Sequence, residues 1–293
     1  MDTRSVEKWA DGPVVVGTDG SDDAAAAVAW AAQEAAVRNQ PLHIVHATGV
    51  DDWGSGLNAA DTARLVLQAP REILDAAVKL ACDRAPDLRV STEVSGKRPW
   101  AGLLHAADDA TTIVVGSRGL GGFAALLLGS VGLKVAGHAS GPVAVIRGTA
   151  DRTAGRVVVG VRDEADLDVV RFAAQTAGRW KASLHLVSGW TLVHNLESAV
   201  PVPDAVWAAG AAAASSSERV VDSVRAEFPN LAVSAEAVQL PSPARALVDA
   251  SAGAALLVVG ARNPAHPHGA PLGRVTHAVL HHAYCPVAVL PHG

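Results

Sequence analysis

The sequence predicts a duplicated α/β protein: two domains in tandem, each a parallel sheet with helices on both faces. Three observations lead there. The 293 residues amount to about two average domains. Segments of the first half return in the second at a nearly constant spacing. Within each half, short apolar runs alternate with longer Ala- and Leu-rich stretches, the pattern of a doubly wound sheet.

The repeat is visible residue by residue. Val14-Val-Val-Gly17 returns as Val157-Val-Val-Gly160, and Leu42-His-Ile-Val45 as Leu184-His-Leu-Val187. Ile113-Val-Val-Gly116 returns as Leu257-Val-Val-Gly260, and Pro142-Val-Ala-Val145 as Pro286-Val-Ala-Val289. One duplicated domain explains this, giving domains at 1–147 and 156–293 joined by the Gly-, Thr- and Ala-rich segment Gly148 to Gly155. In the first half the runs at 14–17, 42–47, 88–94, 112–116 and 142–146 suit buried parallel strands. The stretches at about 22–38, 62–85, 99–109 and 130–139 suit helices.

Composition excludes several functions. The 24 Lys and Arg against 29 Asp and Glu give a net charge of −5, and the basic residues are scattered, so nucleic acid is not an expected partner. Two cysteines, Cys82 and Cys285, imply no disulfide framework and suit a reducing compartment. Residues 1–12 lack the apolar core of a signal peptide, and no apolar run reaches the roughly 18 residues needed to span a bilayer. A cytoplasmic protein without a membrane partner is expected.

In a doubly wound sheet, ligands bind beyond the carboxyl ends of the strands where the strand order reverses. The fourth strand is followed there by Gly116-Ser-Arg-Gly119 and, after nine residues, by Gly129-Ser130-Val131 opening a helix. Glycines allow backbone N–H groups to approach an anion, and a helix N-terminus adds donors and a favourable dipole. Ser130 suits either a helix N-cap or a hydroxyl donor to phosphate. An ordinary strand-to-helix connection with glycine turns is the competing reading.

Gly116-x2-Gly119-x9-Gly129-Ser130 resembles the phosphate- and ribose-binding signature of ATP-binding universal stress proteins. Val14-Val-Val-Gly17-Thr-Asp19-Gly-Ser21 resembles that family's first strand and turn, and Gly141-Pro-Val-Ala-Val-Ile146 its last strand. The resemblance covers nearly the whole chain, twice. It implies a flavodoxin-like fold with five parallel strands per domain, ATP between the first and fourth strands, and pairing through the fifth strands. By position, Gly17 and Asp19 would border the nucleotide and backbone near Ala47 would meet the adenine. Gly116, Gly119, Gly129, Ser130 and Val131 would hold ribose and phosphates. Asp19 makes chemical sense as a ribose acceptor or through a divalent ion such as Mg, since a bare carboxylate repels phosphate; its alternative role is a helix cap. Arg118 would neutralise phosphate charge or stand as a solvated loop residue.

The second half departs from this pattern. Arg162 stands where the first half has Asp19, Asn263 where it has Gly119, and Arg274 where it has Ser130. Pro264, Pro267 and Pro271 stiffen the loop. A degenerate site is expected, with a different anion on Arg162 and Arg274 as the alternative.

Other signals carry less. Gly119-Leu-Gly121-Gly-Phe-Ala124 fits a relaxed dinucleotide fingerprint but follows a fourth strand, and neither a P-loop nor a G-x-S-x-G elbow occurs. His266-x-His268 and His277-x3-His281 have spacings that can hold zinc, yet Cys285 is the only nearby thiol and no metal site is expected. Trp30 and Trp180 are expected to pack in the core. Segments 48–61 and 189–217 are the longest irregular regions and would flank the adenine end as lids. No general base with a partner lies near 116–131, so no catalytic residue is assigned.

The expected function is an ATP-binding regulator of the stress response, with the nucleotide as a conformational or oligomeric switch. A scaffold binding no nucleotide and a slow ATPase or adenylate-forming enzyme are the alternatives. The apolar strands at 141–146 and 285–290 would each end a sheet. Open apolar edges are aggregation-prone, so an intrachain pseudo-dimer, or a homodimer, through these edges is expected, with a further protein partner left unassigned.

Overall fold

The computed structural model describes residues 9, 11–52, 68–109, 111–119, 128–148, 155–190, 215, 217–239, 242–262 and 272–292. The chain divides into two compact units, residues 1–150 with 263–272, and residues 151–262 with 273–293.

In the first unit the strands are β1 (Val14–Gly17), β2 (Leu42–Ala47), β3 (Val90–Ser95), β4 (Thr112–Gly116) and β5 (Val143–Ile146). Their order is β3-β2-β1-β4-β5, and the pairs formed within the unit are parallel. Val14 is opposite Leu42 on one side and Thr112 on the other. Val14, Val15, Val16, Ile113, Val114 and Val115 are all buried, as expected of central strands covered on both faces. The chain leaves β1 toward β2 and later returns to its other side as β4. That reversal opens a crevice at the carboxyl ends of β1 and β4.

Helix α1 (Asp22–Arg38) follows β1. Ser21 is its N-cap, accepting from the Ala24 N–H, and Asp22 and Asp23 sit in the first turn, where acidic groups favour the helix dipole. Asp19 therefore does not cap this helix. Buried Ala24, Ala27, Ala31, Ala32 and Ala35 bring α1 close to the sheet, with Trp30 buried beside them. Asn39 ends it in the left-handed conformation, φ 54°. Helices α2 (Ala69–Arg84), α3 (Pro99–His105) and α4 (Ser130–His138) complete the unit. Helix α3 stops four residues before the expected boundary. Asp108 accepts from the Thr111 hydroxyl at 2.6 Å and the Thr111 N–H reaches the Asp108 carbonyl, so a side-chain-supported turn displaces the last helical turn. Strand β3 begins at Val90 and not at 88.

The second unit has β6 (Arg156–Gly160), β7 (Ser183–Trp190), β8 (Val233–Gln239), β9 (Leu256–Arg262) and β10 (Val287–His292) in the order β10-β9-β6-β7-β8, again parallel. Its helices are α5 (Leu167–Trp180), α6 over 217–227, α7 (Pro243–Ala250) and α8 (Arg274–His282). Lys181 caps α5 at φ 54°, repeating Asn39. Residues 189 and 190, expected to be irregular, belong to β7, which runs to Trp190; 191–214 and 53–61 lie outside the described residues. Neither Cys82 nor Cys285 is in a disulfide. Among the described residues no helix is long and apolar enough to cross a membrane, and no metal-binding cluster occurs.

A buried ion pair locks α1 to the sheet. Arg38 donates to Glu34 at 2.7 Å, with both side chains only 1% exposed, and also to the Thr112 hydroxyl at 2.8 Å and the Trp9 carbonyl at 3.2 Å. Replacing Arg38 leaves the Glu34 charge buried without this guanidinium, which typically costs about 3–5 kcal/mol. Arg38→Met should lower unfolding stability by about that much in chemical denaturation; a loss under about 1 kcal/mol would show that the pair holds little.

Candidate functional site

The crevice of the first unit is a cavity of about 380 Å³ lined by five separate stretches of chain. The end of β1 and its turn contribute Gly17, Thr18 and Asp19; β2 contributes Val45 and Ala47; α3 contributes Pro99 and Leu103. Val115, Gly116, Arg118 and Gly119 come from β4 and its loop, and Gly129, Ser130, Val131 and Gly132 from the start of α4, with Ala24 of α1 beside them. All nine site residues selected from the sequence are therefore brought to one cavity. Thr18, Ala24, Val45, Val115, Gly132, Pro99 and Leu103 were missed. The two α3 residues had no signal beyond their place in an apolar helix, since only the fold swings α3 over the β2 end.

The cavity has two chemical ends. Val45, Ala47, Pro99 and Leu103 make an apolar slot. Opposite lie the glycines, Asp19, Arg118 and the N-terminus of α4. Asp19 Oδ1 accepts from the Ser21 N–H at 3.0 Å and from the Ser21 hydroxyl at 2.6 Å, which fixes the carboxylate at the rim. A Cβ on Gly119 would collide with Asp19 Oδ2, and one on Gly116 would lie 2.7 Å from the Asp23 carbonyl oxygen. Gly116 is required where the β4 loop crosses the start of α1, and Gly119 leaves the Asp19 carboxylate in place. Gly129 differs: a Cβ there would meet nothing nearer than 3.5 Å. It is the N-cap of α4, and its N–H donates to the Ser117 carbonyl at 2.7 Å. Ser130 is thus the first helical residue and not the cap, and it stands exposed at the rim.

Asp23 ties the loop down. Its Oδ2 accepts from the Ser117 hydroxyl at 2.7 Å and from Arg118 Nε at 3.2 Å. Arg118 is therefore a positioned cation, not a free loop residue. In the second unit Arg162, at the position of Asp19, forms a two-point ion pair with Asp166 at 2.7 and 3.1 Å. Asn263, Pro264, Pro267, Pro271, His266, His268, Gly121 and Ala124 lie outside the described residues. His277 and His281 stack with ring centroids 4.6 Å apart.

The fold and cavity define an α/β protein with a ligand-sized crevice at its strand-order reversal. The chain belongs to the universal stress protein family: the family model matches residues 12–147 and again 153–291. A universal stress protein of Mycobacterium tuberculosis is 34% identical over 288 residues, covering 94% of this chain and 96% of that protein. The crystal structure of a universal stress protein from Archaeoglobus fulgidus covers 97% of this chain and 99% of its own at TM-score 0.66 and 16% identity, a likeness of fold. The crystal structure of a universal stress protein in complex with cAMP covers 46% of this chain and 96% of its own at TM-score 0.37 and 33% identity.

Burial by itself pushes the Asp23 carboxyl up, but hydrogen bonds from Ser117 and Arg118 and the charge of that guanidinium hold it below its ordinary value of 3.8. The folded protein then binds this proton less readily than the unfolded chain. Asp23 accordingly contributes stability above the ordinary carboxylate range, and the contribution disappears as pH falls through the folded value. A carboxyl-carbon NMR titration of Asp23 should show a midpoint below 3.8; a midpoint above it would mean that burial outweighs the two donors.

Proposed function

We propose that the first domain binds an adenine nucleotide, ATP in the leading form, and acts as a nucleotide-controlled regulator in the stress response. The observation that carries this is the convergence of five separated sequence segments on one cavity with an apolar slot at one end and an anion cradle at the other. The slot between Val45, Ala47, Pro99 and Leu103 suits a flat purine. Asp19 suits the ribose hydroxyls, or a divalent ion such as Mg2+ that bridges it to phosphate oxygens. Backbone around Gly116, Gly119 and Gly129, the start of α4 and Arg118 suit the phosphates. The glycine cradle fits this group because no side chain can occupy Gly116 or Gly119 without displacing Asp23 or Asp19.

Binding, and not turnover, is the proposed output. No histidine or glutamate is among the described residues that line the cavity. Asp23 is held by Ser117 and Arg118, and Asp19 by Ser21. Without a poised general base, at most slow ATP hydrolysis follows. Residence in the cytoplasm belongs to the same proposal.

Gly119→Val should abolish ATP binding in calorimetry while leaving thermal unfolding close to wild type, because the loop lies at the surface. Asp19→Ala should weaken binding by about 1.5–3 kcal/mol, the range of a charge-assisted hydrogen bond. Equal ATP affinity in wild type and Gly119→Val would overturn the assignment.

A further inference from the structure

The second unit keeps a cavity at the corresponding place, about 280 Å³, and its lining differs from the first in a consistent direction. The apolar slot persists: Val187, Gly189, Pro243 and Leu247 stand where the first unit has Val45, Ala47, Pro99 and Leu103. Gly189 deepens the approach of α7, since a Cβ there would lie 2.7 Å from the Pro243 Cα. Gly160, Gly260 and Gly273 keep the backbone positions of Gly17, Gly116 and Gly129.

The polar end has been rebuilt. Val161 replaces Thr18 and Ala261 stands at the position of Ser117, both buried. Thr276 replaces Gly132; its side chain occupies the floor and its hydroxyl donates to the Gly260 carbonyl at 3.0 Å. Arg162 replaces the acidic rim residue Asp19, and Arg274 replaces Ser130. The charged residues lining the first cavity, Asp19 and Arg118, balance. Among the described side chains, those lining the second are Arg162, Arg274 and Asp166, a net positive charge. Arg162 donates to Asp166 through its backbone N–H at 2.8 Å and through two guanidinium nitrogens, so that pair is internally neutral. Arg274, the exposed first residue of α8, has no ion-pair partner among the described residues. The excess charge at this cavity thus sits on Arg274.

We infer that the second cavity is a binding site for a small organic acid with a flat or apolar body and a single oxyanion head, carboxylate or phosphate. The body would lie in the slot between Val187, Gly189, Pro243 and Leu247. The head would meet Arg274 at the entrance, where a guanidinium takes two acceptor oxygens. A sugar diol has no rim carboxylate here, because Arg162 stands in place of Asp19 and the Asp166 carboxylate is engaged by Arg162, and the smaller cavity suits a compact ligand. This inference does not rest on nucleotide binding in the first domain.

The test titrates the full-length chain with phenyl phosphate and, separately, benzoate, followed by backbone amide NMR. Expected is saturable binding of at least one acid at or below about 10 mM, with shifts centred on Val187, Gly189, Gly260 and Gly273. Binding of phenyl phosphate alone identifies a phosphate head, and of benzoate alone a carboxylate head. Arg274→Ala should weaken binding at least about tenfold and Arg274→Lys restore part of it; an exposed first helical position tolerates both. The inference is overturned if neither acid binds by about 10 mM, if the shifts fall on Gly116, Gly119 and Ser130, or if Arg274→Ala binds as wild type does.

Discussion

The first cavity depends on how closely the loop after β4 crosses the start of α1. Gly116 passes the Asp23 backbone at a distance that leaves no room for a side chain, and Gly119 passes so near the Asp19 carboxylate that a side chain there would push it aside. Asp23 then clamps the crossing through Ser117 and Arg118. With the loop fixed, Gly129 can return its N–H to the Ser117 carbonyl and start α4 at the rim. The cavity is what remains between this clamp, the β2 end and α3. Its shape is therefore set by backbone proximity, and its polarity by the few side chains that proximity allows.

The same clamp position explains how the halves diverged. Asp166 occupies the place of Asp23 and is paired with Arg162 of its own turn. Strand β9 runs on to Arg262, paired with β10, where β4 ends at Gly116. A substitution at one rim position, aspartate in the first half and arginine in the second, gives the second carboxylate a cation within its own turn, while strand order and apolar slot are retained. Asp166, with its side chain 4% exposed, needs such a cation.

Much of this was legible in the sequence. Repeated valine runs located the strands because both faces of a central parallel strand are buried, and spaced glycines located the loop because only glycine permits the crossing. What was not legible came from tertiary geometry. Nothing in Pro99-Trp-Ala-Gly-Leu103 announces a cavity wall; α3 becomes one only by packing across the β2 end. Ser130 reads as a helix cap from its type, yet the Gly129 N–H bond to Ser117 sets the cap one residue earlier. The cap that stood as the alternative role for Asp19 falls to Ser21, which is better placed to reach the Ala24 N–H. The α3 end was misplaced because the Asp108–Thr111 turn competes locally with helix, which helical periodicity does not register.

The central claim is that the two cavities differ in kind and only the first holds an adenine nucleotide. The most direct measurement denatures the purified full-length protein, prepared without added nucleotide, and identifies and counts what is released by mass spectrometry and absorbance. About one adenine nucleotide per chain is expected, following one intact cradle. Its absence from repeated preparations, or two per chain, would contradict the claim.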